Sequence, residues 1–450
     1  MKRQYFGTDG VRGRVGQPPM TPEFALRLGW AAGMVLGRDK GARVLVGKDT
    51  RRSGYLFESA IEAGLSAAGV EVGLLGPLPT PGVAFLTREL QAQAGVVISA
   101  SHNPHHDNGV KLFSSAGDKL GDEVEAEIEA LIDRPLACVD PQALGMVRRV
   151  RDAQSRYAEF CAGSYRAAPL AGMRVVLDCA NGAAYQVAPR VLRELGAKLH
   201  VIADQPDGFN INRDCGSTHM ETLTSAVVAL GAEVGIALDG DADRCLMVDR
   251  QGRVVDGDDL LYVIAAQRLR DEALRGPVVG TLMSNLGLEN ALRRLGLGFE
   301  RAQVGDRYVL ERLKATGGTV GGETSGHTLC LDRTTTGDGI VTALQVLAAM
   351  VETGEPLAEL CRPVQKCPQV LINLTVAGKA APILESHAVR DAVASMERAL
   401  AGRGRVLLRA SGTEPLIRVM VESEDAGETQ AQAEALAERV RQAAEALVAA

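Results

Sequence analysis

Short apolar runs recur along the chain, each ending in glycine or a polar turn residue and each followed by a helical pattern. Val44-Leu45-Val46-Gly47, Val96-Val97-Ile98-Ser99, Val175-Val176-Leu177-Asp178 and Ile236-Ala237-Leu238-Asp239 are the clearest. Strands that alternate with helices predict parallel, doubly wound α/β sheets. In such sheets ligands sit beyond the carboxyl ends of the strands. The chemistry is therefore expected directly after these runs.

Three breaks divide the chain. A polar stretch from Arg148 to Ser155 precedes a new strand and helix series, Gly252 to Asp259 follows another strand, and Arg362-Pro363 to Pro368 separates an amphipathic helix from the alternating strand Val370-Leu371-Ile372-Asn373-Leu374. The expected segments are 1–152, 153–252, 253–364 and 365–450. The first three read as doubly wound mixed α/β domains and the last as a smaller α+β domain. At the C-terminus Ala433, Leu436, Val440, Ala444 and Leu447 recur at helical spacing, which predicts a helix packed on the sheet of the last domain. The prolines of Arg362 to Pro368 mark that connection as a hinge.

Composition narrows the class. With 450 residues, a formal charge of −7 and 46% hydrophobic residues, the chain is an ordinary globular one with no basic footprint for duplex nucleic acid. Stacking platforms for single strands are also unexpected, because Trp, Tyr and Phe number only 1, 7 and 8. Met1-Lys2-Arg3-Gln4-Tyr5-Phe6-Gly7 has no apolar stretch behind its basic residues, and no run of ~18 apolar residues occurs, so a cytoplasmic protein is expected with no membrane partner. The eight cysteines are scattered without a C-x-x-C pair and read as reduced core or near-core thiols rather than disulfides or a zinc site.

Four motifs carry chemistry. Ser99-Ala100-Ser101-His102-Asn103-Pro104 places a hydroxyl at a turn beyond a strand, where a nucleophile belongs, and no G-x-S-x-G surrounds it to suggest a hydrolase. Asp239-Gly240-Asp241-Ala242-Asp243-Arg244 brings three carboxylates to alternate positions after a strand, and their repulsion is resolved by a hard divalent cation with oxygen ligands. An EF-hand is excluded, since counting from Asp239 puts Arg244 at the sharp-turn glycine and Arg250 at the bidentate glutamate. Arg409-Ala410-Ser411-Gly412-Thr413-Glu414-Pro415-Leu416-Ile417-Arg418 combines guanidinium groups, hydroxyls and a glycine suited to gripping phosphate. Gly321-Gly322-Glu323-Thr324-Ser325-Gly326-His327 offers a carboxylate, a hydroxyl and an imidazole for sugar hydroxyls or proton movement. Together they point to phosphoryl transfer.

In this order, and over essentially the whole chain, the four motifs resemble the α-D-phosphohexomutase superfamily. Within it, Phe6 to Gly13, Asn210-Ile211-Asn212 with Cys215 to His219, and Val304 to Val309 resemble the bacterial branch that interconverts glucosamine 6-phosphate and glucosamine 1-phosphate for amino-sugar nucleotide and cell-wall precursor synthesis. The resemblance implies four domains around a central cleft, each contributing one loop. It implies that Ser101 carries the phosphoryl group as phosphoserine, and that Ser101, Asp239, Asp241 and Asp243 hold one Mg²⁺. Glu323 and Ser325 would bind sugar hydroxyls, while Arg409, Ser411, Gly412, Thr413 and Arg418 would hold the phosphate that is not being transferred. His327 and Lys111 are implied in proton transfer, and Arg12 and Arg244 in the field around the phosphoserine. The expected partner is a phosphorylated hexosamine, with a homodimer as the candidate assembly; mannose or glucose phosphates are the alternative substrates. Ala242 stands where the family usually has glycine, which is tolerable only if that residue avoids φ > 0. Ala410 stands where relatives often have lysine, and His105 and His106 are expected at the surface without a metal role.

Overall fold

The apolar runs become strands of four sheets in the computed structural model, which describes residues 4–7, 9–39, 41–376, 380–400, 402–410 and 416–449. The first sheet has six strands in the order β1 (Val11–Arg14), β5 (Asp107–Ser114), β4 (Ala94–Ile98), β2 (Arg43–Lys48), β3 (Glu71–Pro77) and β6 (Val147–Arg149). Strands β4, β2, β3 and β6 run parallel, and β5 and β1 close the other edge antiparallel. Every residue of β4 is buried, as its unbroken apolar run requires. Arg148 and Arg149, expected in a polar linker, instead form edge strand β6, whose backbone pairing with β3 does not need apolar side chains.

The second sheet runs β11 (Val254–Val255), β10 (Cys245–Asp249), β9 (Val234–Leu238), β7 (Arg174–Asp178) and β8 (Lys198–Ile202). The third runs β13 (Phe299–Ala302), β12 (Val278–Thr281), β14 (Val320–Gly322) and β15 (Thr328–Cys330). The fourth is an antiparallel sheet of β16 (Gln369–Thr375), β18 (Leu416–Ser423) and β17 (Gly404–Ala410). The architecture is the mixed α/β class that the pattern predicts.

By backbone packing the chain forms two compact units, Met1–Thr281 with Glu300–Arg362, and Leu282–Phe299 with Pro363–Ala450. In the second unit Ala433, Leu436 and Val440 of the last helix share a core with Ile417, Val419 and Val421 of β18, as the helical spacing predicts. Leu282–Phe299 joins the same unit through polar links: Arg405 donates to the carbonyls of Leu282 (2.6 Å) and Ser284 (2.7 Å), and Leu286 N donates to Glu422 Oε1 (2.8 Å). Local sequence pattern has no access to such links. One unit boundary, Arg362/Pro363, falls inside the segment expected as a hinge.

The cysteines are all free thiols, buried except for Cys138, whose exposure departs from the core-thiol expectation. Among the described residues no helix is long and apolar enough to cross a membrane.

Candidate active site

The turn after β4 places Ser101 where the strand pattern expects it, buried and in a left-handed conformation (φ 50°). Its hydroxyl donates to Asp239 Oδ2 at 2.6 Å and lies 3.3 Å from His102 Nδ1. The contact with His102 does not make a hydrolase dyad. Burial together with the Arg244 and Arg12 charges pulls the His102 imidazole down to about 4, so it stays neutral with cations around it rather than an orienting carboxylate.

Asp239 follows β9 directly, and the tight turn Asp239 to Asp243 folds its carboxylates inward. Candidate ligand oxygens of Asp239, Asp241 and Asp243 all lie within 4.8 Å of one another, and all three residues are buried. Thr80 Oγ1 donates to Asp241 Oδ2 (2.6 Å), and Lys111 Nζ lies 2.9 Å from Asp241 Oδ2, 3.1 Å from Asp243 Oδ2 and 3.2 Å from Asp9 Oδ2. Asp241 Oδ1 and Asp243 Oδ1 are buried with no hydrogen-bond donor. A hard cation with oxygen ligands would satisfy such atoms, so the residues fit a Mg²⁺ site. Two glycine-related features shape the loop. A Cβ on Gly240 would lie 2.6 Å from the Ser101 carbonyl, so only glycine lets the acidic turn approach Ser101. Ala242 adopts φ 57° and thus does take the left-handed conformation its alanine was expected to avoid; Ala242 N donates to the Asp239 carbonyl (3.1 Å), and the Ala242 carbonyl accepts from Gly339 N (2.9 Å).

His327 lies just before the short strand β15, buried, with Nδ1 3.8 Å from Asp243 Oδ1 and Nε2 3.6 Å from Asp306 Oδ2. Burial opposes its charge, but Asp243 and Asp306 outweigh it and raise the imidazole to about 9. Lys119 links Asp306 (2.5 Å) to Asp9, which also pairs with Arg12. Lys111 is held as an ammonium well above its ordinary range, since Asp241, Asp243 and Asp9 outweigh burial. Beside this network a cavity of about 180 Å³ is lined by Lys119, Asp306, Arg307, Lys314 and His327. Arg244 lies 3.9 Å from Asp243 Oδ1, and the Nε groups of Arg12 and Arg244 are buried donors without an acceptor, a fit for added anionic oxygens.

In the loop between β14 and β15, Gly326 (φ 91°) closes a turn by donating to the Glu323 carbonyl (2.9 Å), which leaves Ser325 exposed at its tip. Glu323 Oε1 accepts from Gly305 N (2.9 Å). In the second unit Arg409 and Arg418 stand directly opposite each other on β17 and β18. Ser411, Gly412 and Thr413 lie outside the described residues. His105 and His106 are exposed, as expected.

Within the first unit, then, the structure gathers Ser101, the three aspartates, Lys111, Arg12, Arg244 and His327. The motif reading missed Asp9, Asp49, Arg51, Thr80, Lys119 and Asp306 as members of this network. Asp49 and Arg51 follow β2 directly, so the strand-end signal that selects Ser101 also marks them. Asp9 and Asp306 sit inside the segments Phe6–Gly13 and Val304–Val309. Lys119 carries no sequence signal.

Residues 3–136, 155–252, 256–367 and 371–439 match, in order, the alpha/beta/alpha domains I, II and III and the C-terminal domain of phosphoglucomutase/phosphomannomutase. The chain is 58% identical over 444 residues to a phosphoglucosamine mutase of Alkalilimnicola ehrlichii, covering 98% of each. It is 57% identical over 441 residues to one of Actinobacillus pleuropneumoniae serotype 7, covering 98% of this chain and 99% of that one. Its structure resembles a putative phosphomannomutase from Thermus thermophilus (26% identity, TM-score 0.78, 98% of both chains). In fold it also resembles Aspergillus fumigatus N-acetylphosphoglucosamine mutase, solved in complex with GlcNAc-6P and magnesium (18% identity, TM-score 0.71, 98% of this chain and 96% of that one). All four family domains in order, and identity above one half along nearly the whole length, place the chain among the bacterial phosphoglucosamine mutases of the phosphoglucomutase/phosphomannomutase family.

Proposed function

We infer that the chain interconverts glucosamine 6-phosphate and glucosamine 1-phosphate, with Ser101 as the phosphoryl carrier. The observation that carries this reading is the Ser101 hydroxyl, held 2.6 Å from the first of three clustered, buried carboxylates in a chain that matches phosphoglucosamine mutases end to end. Phosphorylated Ser101 donates to the free hydroxyl of the sugar phosphate: the Oγ–P bond breaks as the sugar O–P bond forms, and the hydroxyl proton leaves to a base. The resulting bisphosphate reorients, and its other phosphoryl group returns to Oγ as a proton is given back to the released sugar oxygen.

Asp239, Asp241 and Asp243, with Ser101, would hold a divalent cation such as Mg²⁺, which when bound supplies positive charge to the transferring phosphoryl oxygens. The buried Nε groups of Arg12 and Arg244 are unused donors for those oxygens. His327, held protonated by Asp243 and Asp306, is suited to giving a proton to the leaving oxygen. Lys111, fixed among three carboxylates, is suited to holding positive charge in place. Glu323 and Ser325 are assigned to sugar hydroxyls. Arg409 and Arg418, paired across two strands, are assigned to the phosphate that is not transferred, with Ser411, Gly412 and Thr413, which lie between them in the sequence.

Intact mass spectrometry after incubation with a hexose 1,6-bisphosphate tests the carrier: one phosphoryl group should appear on the wild type and none on Ser101→Ala, which should also lose mutase activity. Near-normal turnover by Ser101→Ala would remove Ser101 from the mechanism. Parallel assays should give a higher kcat/KM for glucosamine phosphate than for mannose or glucose phosphates; the reverse order would move the chain to the alternative substrates.

A further inference from the structure

The turn that carries Ser101 is tied down from both sides by groups that the phosphoryl-transfer scheme does not use. Arg51, just past β2, is fully buried. Its Nε donates to Asp49 Oδ2 at 2.8 Å. Its Nη1 donates to the carbonyls of Pro104 (2.5 Å) and Asp107 (3.2 Å), and its Nη2 to those of Ser101 (2.9 Å) and Asn103 (2.7 Å). One guanidinium thus holds four carbonyls between residues 101 and 107 and one carboxylate. Only a planar fork with five donors can do this; an ammonium has three donors and no plane.

On the amide side, Ser101 N donates to Ser99 Oγ (2.9 Å), and that hydroxyl donates to Asp49 Oδ2 (2.6 Å), the same oxygen that receives Arg51 Nε. The Ser101 carbonyl takes a second donor, Asn212 Nδ2, at 2.9 Å. Both lone pairs of that carbonyl are therefore used, and both backbone polar groups of Ser101 have fixed partners. The position needs them, because a serine at φ 50° sits in a region that L-residues avoid. Released from its ties, the backbone would relax toward φ < 0 and swing the hydroxyl away from Asp239.

We propose that Arg51 and Ser99 are positioning residues for phosphoryl transfer: through Asp49 they lock the Ser101 peptide in its left-handed conformation and keep Oγ aimed at the acidic cluster. This rests on the reading of Ser101 as the carrier. A nucleophile that both gives and takes a phosphoryl group must return to the same place in each half-reaction. A misplacement of ~1 Å costs about a hundredfold in rate. The clamp acts on orientation, so its loss should fall on kcat and on phosphorylation of the serine rather than on sugar-phosphate binding.

The experiment pairs Ser99→Ala with Ser99→Thr and Arg51→Lys. Ser99→Ala should lower kcat by about 10- to 100-fold, slow phosphorylation by a hexose bisphosphate in parallel, and leave KM for the phosphosugar and the circular dichroism spectrum near wild type. Ser99→Thr, which restores the hydroxyl, should recover most of the rate. Arg51→Lys should lose more than Ser99→Ala; should it fail to fold, Ser99→Ala alone decides. Wild-type kcat and phosphorylation rate in Ser99→Ala overturn the proposal, as does a rate loss that merely tracks the fraction unfolded or falls on KM alone. Ser101→Ala in the same series separates the two readings: its continued turnover would refute the carrier assignment, and with it the clamp, whereas an inactive Ser101→Ala beside a fully active Ser99→Ala would refute the clamp only.

Discussion

Replacing Lys111 with methionine removes one buried ammonium and keeps the length of the side chain. Its Nζ stands 2.9, 3.1 and 3.2 Å from oxygens of Asp241, Asp243 and Asp9, with 2% of the side chain exposed. At an effective dielectric of 20 each pair contributes about 5 kcal/mol before desolvation, and taking a charge out of water offsets much of the sum. Removing one partner of a buried pair typically costs about 3–5 kcal/mol. The lower end applies here, because Asp9 keeps Lys119 and Arg12, Asp241 keeps Thr80 and Asp243 keeps His327. Lys111→Met should therefore lose about 3 kcal/mol, roughly 6–9 °C in Tm at about 2–3 °C per kcal/mol. The loss should be largest in a chelator. A divalent cation neutralises the same carboxylates and stabilises by mass action, so added Mg²⁺ should narrow the gap to wild type. Calorimetry of both proteins with chelator and with Mg²⁺ reads this directly. Equal Tm values in chelator, or a gap that Mg²⁺ leaves unchanged, would refute the account of Lys111 as a cation that shares the metal's carboxylates.

Gly240→Ala should cost at least tenfold in kcat, because its Cβ would lie 2.6 Å from the Ser101 carbonyl and 2.8 Å from Asn212 Nδ2; an unaffected kcat in a folded variant would show that the two loops can part freely. Ala242→Gly should stabilise the protein by about 0.5–1 kcal/mol, since relief of ~1–2 kcal/mol at φ 57° exceeds the ~0.4–1 kcal/mol of added unfolded-chain entropy; a lower denaturant midpoint would contradict this. Asp338 is fully buried, accepts from Tyr157 OH at 2.8 Å, and is pushed by burial from 3.8 to about 6. Its folded pKa lies above the unfolded one, so the ionised carboxyl destabilises above about 6 and the penalty is gone below 3.8. Asp338→Asn keeps an acceptor for Val341 N and does not titrate; it should gain on wild type by about 3 kcal/mol between pH 4 and 7, and parallel stability curves over that range would refute the assignment.

Much of the candidate site is legible because a strand's carboxyl end is a local feature. Val96 to Ile98 and Ile236 to Leu238 announce their strands, and the candidate site residues follow within five positions. What stays hidden depends on contacts between distant segments. Lys119 has no strand-end position and acquires meaning only from Asp9 and Asp306, 110 and 187 residues away along the chain. The affiliation of Leu282–Phe299 is invisible for the same reason: it rests on Arg405 and Glu422, whereas the breaks in the sequence leave it inside the expected segment 253–364. Ala242 is a different case. The sequence poses the question of its φ, but only the backbone answers it, because alanine pays a modest strain energy where glycine would pay none.

The charges of the site also show where the cluster is incomplete. Asp9, Lys111, Asp243, His327, Asp306 and Lys119 form a closed ring in which every acid lies between two bases. With His327 protonated the ring holds three negative and three positive charges, so its burial is compensated internally, and each removal leaves two neighbours exposed to that loss. Asp239 stands outside the ring. It receives the Ser101 hydroxyl and the Arg244 amide, while burial, Asp243 and Asp241 push its carboxyl well above the usual carboxylate range. The one carboxylate of the acidic turn without a cation at salt-bridge distance is thus the one in contact with Ser101, the proposed phosphoryl carrier. Charge brought by a divalent ion would therefore act most strongly at Asp239, beside the Ser101 oxygen proposed to carry the phosphoryl group.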